Sequence, residues 1–336
     1  MFLDYQLPAE LIAQRPVEPR DHARLMVVFR RKGSIEHRHV VDLPELLNVG
    51  DLLVVNDSRV LPARLLGYRE RTGGKWEGLY LGSATDGCWS MICQTKGTLT
   101  VGEIVVIEPG SLKLTLMDRP SGQPWMFRPE SQRSAIELLE RYGHVPLPPY
   151  IRKGRSDEAD KDHYQTVFAD EPGSIAAPTA GLHFTPELFS RLQKGGINRA
   201  SVTLHVGLGT FQPLTHDNPA RHVMHKEWYS IPESTAAAVL ETQTKGRRVI
   251  AVGTTTVRTL ESGSVSARTA ETDLFIRNPF NFRVTDALMT NFHLPKTTLL
   301  LLVGAFAGDA LIRRAYETAI DHRYRFFSYG DAMLIL

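Results

Sequence analysis

Cysteine is scarce in this chain of 336 residues, which has only Cys88 and Cys93. Two thiols at that spacing make neither a disulfide framework nor a zinc ribbon, and they fit a reducing compartment. Long hydrophobic runs are also missing. The richest, Leu299 to Ala307, is well short of the roughly 20 residues that cross a bilayer. The first residues, Met1 to Pro8, carry Asp4 and Pro8 where a signal peptide needs an unbroken apolar segment. Nor is there an excess of one charge: 39 Lys and Arg face 37 Asp and Glu, for a net +2. A nucleic-acid partner would therefore have to be held by a local patch and not by global charge. No repeat period is visible. The expectation is a soluble cytoplasmic protein without membrane contact. It is expected to be a monomer, since no exposed heptad or long edge strand is evident.

What is present is a core-forming composition, 42% apolar, in a chain long enough for about two domains. Leu52-Leu-Val-Val55 reads as a buried strand of the parallel-sheet kind, ending in the polar Asn56-Asp57-Ser58-Arg59. From about Leu66 to Phe127 glycines punctuate short runs. Leu112–Leu116 alternates apolar residues with Lys113 and Thr115, as a half-buried antiparallel strand does. This texture predicts a small antiparallel β-barrel. Ala135, Leu138, Leu139 and Tyr142 then form an amphipathic helical stripe, and Pro146, Pro148 and Pro149 stiffen the exit. Beyond a charged stretch over 152–162, strands and helices alternate. Pro186 to Lys194 is a helix capped by Thr185 and stopped by Gly195-Gly196, Ala200–Val206 a strand, the stretch capped by Ser234 and running through Glu241 a helix, Arg248–Gly253 a strand and Thr256–Ser262 a helix. The expected fold is α/β: a mainly parallel mixed sheet flanked by helices, with an inserted barrel. The expected boundaries are 1–66 plus 148–336 for a discontinuous catalytic domain and 67–147 for the barrel.

Two adjacent strand ends in 174–213 each deliver a histidine, His183 and His205, beside loops of small residues, as in the floor of a small-molecule site. His205 alternates with Leu204 and Val206, which puts it on the polar face with Thr203 and Gly207. His183, between Leu182 and Phe184, is as natural in a core as in a site. Gly207-x-Gly209 lacks the third glycine of a dinucleotide fingerprint, but it leaves a backbone able to lie against a ligand. Val252-Gly-Thr-Thr-Thr-Val-Arg258 offers hydroxyls and Arg258 at a helix start, which is anion-site geometry; the plainer alternative is that Thr254 caps the helix. His222-Val-Met-His225-Lys-Glu227 invites a metal reading, yet the zincin spacing is absent and no metal is expected. Arg323 to Asp331 joins aromatics to arginines, a combination suited to RNA contact or simply to a packed final strand.

At these residues the chain resembles the S-adenosylmethionine:tRNA ribosyltransferase-isomerases of queuosine biosynthesis. The resemblance runs nearly end to end. It rests on strings such as Gly143-His-Val-Pro-Leu-Pro-Pro-Tyr-Ile151, Ala176-Ala-Pro-Thr-Ala-Gly-Leu-His-Phe184, Leu204-His-Val-Gly-Leu-Gly-Thr-Phe211, Asn291-Phe-His-Leu-Pro295 and Tyr324-Arg-Phe-Phe-Ser-Tyr-Gly-Asp331. It implies a larger α/β domain with an inserted barrel. It also implies a reaction in which S-adenosylmethionine, as co-substrate and with no separate cofactor, donates its ribosyl moiety. The acceptor would be 7-aminomethyl-7-deazaguanine at the tRNA wobble position, and the products epoxyqueuosine-tRNA, adenine and methionine. Two departures stand out: Arg277-Asn278-Pro279 where the family usually has Tyr-Pro-Gly, and His225-Lys226-Glu227 where it usually has His-Ser-Glu.

Such chemistry needs a base for the carbon next to the sulfonium and an acid for departing adenine. His183, His205, His225 and Glu227 are the candidates for these tasks, with Asp331 as an electrostatic partner. Thr179, Gly181, Gly207, Gly209 and Thr210 are expected to approach the nucleoside, with Thr254 and Arg258 at the helix start. Two other readings compete. One is a metal-dependent hydrolase built on His222, His225 and Glu227; the other is a non-catalytic RNA-binding protein.

Overall fold

The computed structural model describes residues 4–207 and 219–336. In chain order the strands begin with β1 (Arg24–Phe29), β2 (Ser34–His39), β3 (Leu52–Asn56) and β4 (Ser58–Val60). There follow β5 (Arg64–Arg69), β6 (Lys75–Ser83), β7 (Trp89–Thr95), β8 (Ile104–Ile107), β9 (Leu112–Asp118) and β10 (Trp125–Pro129). The rest are β11 (Glu171–Ser174), β12 (Asn198–Leu204), β13 (Glu227–Ile231), β14 (Val249–Val252), β15 (Arg268–Thr272), β16 (Ala287–Asn291) and β17 (Ala332–Ile335). The chain divides into two compact units. One comprises Met1–Arg59, Pro148–Arg155 and Asp162–Leu336; the other comprises Val60–Leu147 and Ser156–Lys161.

The first unit is built on a nine-stranded sheet in the order β15-β13-β12-β3-β14-β16-β17-β1-β2. Pairing is parallel at β12–β3, β3–β14, β14–β16 and β17–β1, and antiparallel elsewhere. Strand β3 shows why the centre is parallel. All five of its residues are buried, Leu52 and Val54 in the core on one face and Leu53 and Val55 in the core on the other. A strand covered on both sides reads as a continuous apolar run and not as an alternation. Beyond the last apolar residue, the Asn56 amide donates to the Leu204 carbonyl and accepts from the Leu204 N–H, both at 3.0 Å, so β3 and β12 end tied together.

Helices cover both faces. Pro186–Lys194 starts as its sequence dictates, with Thr185 Oγ1 accepting the Leu188 N–H at 3.1 Å and proline in the first turn, and it buries Leu188 and Leu192. Its end at Gly195 is likewise as expected. On the other face Thr298–Ala307 is apolar nearly all round and almost wholly buried, as such a helix must be. It is a core helix of 10 residues, and no described helix is long and apolar enough to cross a membrane.

Some elements differ from the sequence reading. The first helix after β13 runs Glu233–Thr244, with Pro232 and not Ser234 at its cap. The helix after β14 begins at Thr254, so the three threonines lie within its first turn. The final strand is only Ala332–Ile335, because Phe326 makes a single bridge to Ile12 and Phe327 to Gly330 form a turn ahead of it.

In the second unit six strands close into an antiparallel barrel, β10-β7-β6-β5-β8-β9. Alternation fills the interior. Leu112, Leu114 and Leu116 point in, alongside Trp76, Met91 and Phe127. The Ala135–Tyr142 helix has a full capping box, Ser134 accepting the Glu137 N–H while Glu137 accepts the Ser134 N–H at 2.8 Å.

Candidate active site

The parallel strands β12, β3, β14 and β16 bring their C-terminal ends to one side of the sheet, where open α/β sheets place ligands. A cleft of ≈ 610 Å³, counting the part open to solvent, lies there. Its wall comprises Ala177 to Ala180 after β11, Val206 beyond β12, and Gly253, Thr254 and Thr255 beyond β14. Thr290 to Leu294 at the end of β16, Thr297, Leu299, Phe327, Ser328 and Tyr150 complete it. Among the described residues this lining carries no carboxylate, ammonium or guanidinium. It is built from hydroxyls, one amide, one imidazole, aromatic rings and aliphatic side chains.

His183 lies at the end of a short 3-10 turn, Thr179–His183, behind the cleft wall. It lines a second, smaller recess of ≈ 220 Å³ with Arg20, Ser328 and Tyr329. Burial, helped by Arg325 and Arg20, pushes its imidazole down to about 3, so the ring is neutral near pH 7. Its Nε2 lies 3.1 Å from Asn291 Nδ2, and the same Asn291 nitrogen donates to the Phe327 carbonyl at 3.1 Å. The Asn291 Oδ1 is buried without a partner in the described structure. An unpaired buried acceptor costs about 1–3 kcal/mol. His293 is a further neutral imidazole in the cleft wall, pushed down to about 3 by burial, with Nε2 at 2.9 Å from Thr290 Oγ1.

His205 lies just past β12, next to the cleft residue Val206. Its ring stacks on the Trp228 indole at 4.6 Å between centroids. Burial lowers its pKa below the ordinary histidine value, and its Nε2 has no hydrogen-bond partner. Gly173 is essential to this placement. With φ of +154°, it would place a Cβ only 2.3 Å from the imidazole Cε1, so no side chain fits there.

Glu227 and Arg258 form a buried ion pair. Arg258 also donates to the Leu274 carbonyl at 3.0 Å and the Thr272 carbonyl at 3.4 Å, while Glu227 Oε1 accepts the Gly207 N–H at 2.9 Å. Asp331, 1% exposed, accepts the N–H groups of Arg24 (3.1 Å) and Arg325 (2.8 Å), and so anchors the loop that carries Phe327.

Of the residues singled out from sequence, Thr179 and Thr254 line the cleft, and His183 touches it through Asn291. Gly181 packs against Phe168 and Thr166, where a Cβ would fall 2.7 and 2.9 Å from their side chains. His225 is exposed, and Gly209 and Thr210 lie outside the described residues. No group of three or more His, Cys, Asp or Glu among the described residues could hold a metal, so the hydrolase alternative lacks a ligand set. The sequence reading assigned no site role to Asn291, Thr290, Thr297 or Tyr150. The available signal was the pair of asparagines, Asn56 and Asn291, each closing a fully buried strand.

Comparison with known proteins decides the family, because a model described as queuosine biosynthesis protein matches residues 2–335. The chain belongs to this family. Among this family member's relatives, the S-adenosylmethionine:tRNA ribosyltransferase-isomerase of Symbiobacterium thermophilum is 50% identical, over 99% of this chain and 98% of its own length. The protein of the same name from Moorella thermoacetica is 48% identical, over 99% and 98%. A crystal structure of S-adenosylmethionine tRNA ribosyltransferase from Thermotoga maritima matches with a TM-score of 0.57 at 39% identity, covering 99% of both chains.

Proposed function

We propose that this protein transfers and isomerises the ribosyl moiety of S-adenosylmethionine onto 7-aminomethyl-7-deazaguanine at the tRNA wobble position. The products would be epoxyqueuosine-tRNA, adenine and methionine. The observation that carries the reading is the uncharged cleft of hydroxyl, amide and aromatic groups at the C-terminal strand ends. A nucleoside asks for such a lining, and two relatives matched over nearly their whole length bear the enzyme's name.

The sulfonium acidifies the adjacent 5′ carbon, and a neutral imidazole with a bare nitrogen suits that proton. His205, with its pKa lowered by burial and its Nε2 engaged by no group of the described protein, is the residue assigned this task. His183, neutral and bonded through Nε2 to Asn291, serves as a positioning group and not as the imidazolium acid. Glu227 and Arg258 neutralise each other and hold the backbone at Gly207, where the chain leaves β12 toward Gly209 and Thr210. Asp331 fixes the Phe327 loop. Thr179 and Thr254 face the nucleoside from the cleft wall. In this scheme His225, being exposed, takes no acid–base task.

The test is to incubate the protein with S-adenosylmethionine and tRNA bearing the aminomethyl-deazaguanine and to follow free adenine by chromatography. Adenine formed in step with modified tRNA is the expected result. None above an enzyme-free control would overturn the proposal.

A further inference from the structure

We infer that Asn291 selects the purine of the donor, its Oδ1 accepting a hydrogen bond from the exocyclic 6-amino group of adenine. The inference rests on reading the cleft as the S-adenosylmethionine site.

The orientation of the Asn291 amide is fixed by its surroundings. Its partner on one side is the Phe327 carbonyl, which can only accept, so the nitrogen of the amide must face it. That carbonyl is itself set by an unusual backbone: Phe327 has φ of 71°, in the left-handed region that few side chains other than glycine adopt. Backbone held in this region gathers at functional sites. The second amide hydrogen meets His183 Nε2, which must then be the bare nitrogen of a ring protonated at Nδ1. Both donors are thereby spent inside the protein, and the oxygen is the group left over. It belongs to a side chain 2% exposed that lines the cleft, and it has no partner.

The charge pattern identifies which part of the donor lies there. The methionyl end of S-adenosylmethionine carries an ammonium and a carboxylate, and nothing charged in the described lining would match them. A neutral aromatic base needs no counter-charge. Phe327 and Tyr150, with ring centroids 4.8 Å apart, supply apolar wall beside the amide. A fixed acceptor at such a wall favours a 6-amino purine and repels a 6-oxo purine, whose oxygen would face another oxygen.

The experiment is calorimetric titration with three non-reacting thioethers: S-adenosylhomocysteine, its 6-oxo counterpart S-inosylhomocysteine, and the analogue with unsubstituted purine. Adenine release from S-adenosylmethionine with tRNA is followed in parallel. The intact protein is expected to bind the 6-amino compound tenfold or more tightly than either analogue, on the order of what one buried hydrogen bond discriminates. In Asn291→Ala, shown to be folded by its melting transition, the three affinities should converge. A protein that releases adenine yet binds all three compounds equally overturns the role of Asn291 alone; the oxygen then serves a ribose hydroxyl or water. A folded Asn291→Ala that keeps the preference overturns it as well. A protein that releases no adenine overturns the parent reading and this inference with it. Because the analogue comparison uses the unaltered protein, equal binding of the three compounds overturns the inference even if the variant fails to fold.

Discussion

Arg258 and Glu227 meet as an ion pair inside the protein, 3% and 5% exposed, and the same carboxylate holds the Gly207 N–H at 2.9 Å. Removing one partner strands a buried charge, which typically costs about 3–5 kcal/mol, whereas replacing both with apolar groups leaves none stranded. Arg258→Met is therefore expected to lose stability in that range in denaturant titration. The double variant Arg258→Met/Glu227→Met should recover most of it, with a coupling well above the error of a double-mutant cycle.

His205 is tested by its neighbour as well as directly. His205→Ala should slow adenine release by about 10²–10⁴-fold, the range of a general base, with little loss of stability because the ring is only half-buried. Gly173→Ala should reproduce much of the loss with the His205 side chain retained, since the new Cβ would fall 2.3 Å from the imidazole Cε1 and displace the ring. Steady-state assays of the two variants, each with its melting temperature, check this.

The same histidine sets an acid limit on activity. Burial holds its pKa below the ordinary value, so the neutral form that can take a proton persists at pH 7. The rate should be flat through neutrality and fall as the pH drops through that lowered pKa, below about 6.5. A pH profile of kcat/KM for adenine release, which reports the free protein's ionisations, shows whether the acid limb lies there.

Folding stability should also decline in acid, for a separate reason. His183 and His293 are held down to about 3 in the folded protein, while unfolded histidines titrate near 6.5. Between these values the unfolded chain binds more protons, so the stability present above pH 6.5 is lost as the pH falls toward 3. The loss is at most about 1.4 kcal/mol per pH unit for each histidine. Urea midpoints measured at successive pH values should follow this slope, and His293→Gln should flatten it.

In the barrel, burial pushes the Cys93 thiol up to about 12, and Cys88 is buried. The thiolate is the reactive form. Ellman's reagent at pH 8 should find almost no fast thiol in the native protein and two after denaturation.

Much of the architecture was legible because single patterns decided it. Leu52–Val55 could only be a strand buried on both faces, and Leu112–Leu116 only one face of an antiparallel sheet. Strand β2 was not legible. Ser34-Ile-Glu-His-Arg-His39 has no apolar face of its own and becomes a strand only because β1 offers it a partner edge. The site was half legible. Hydroxyls, glycines and histidines at strand ends pointed to the right side of the sheet. However, the engagement of Arg258 by Glu227 and the orientation of Asn291 by Phe327 depend on residues distant in sequence, and no local pattern carries such pairings.

Asn56 has a consequence for how the sheet finds its alignment. A strand with apolar residues on both faces is indifferent to sliding by one position, since a slip would exchange one greasy core for the other and expose nothing. By bonding both the N–H and the carbonyl of Leu204, the Asn56 side chain acts as one more rung of the ladder, and that rung forms at a single offset of β3 against β12. The polar strand end thus works as a vernier mark that aligns the whole floor beneath the cleft.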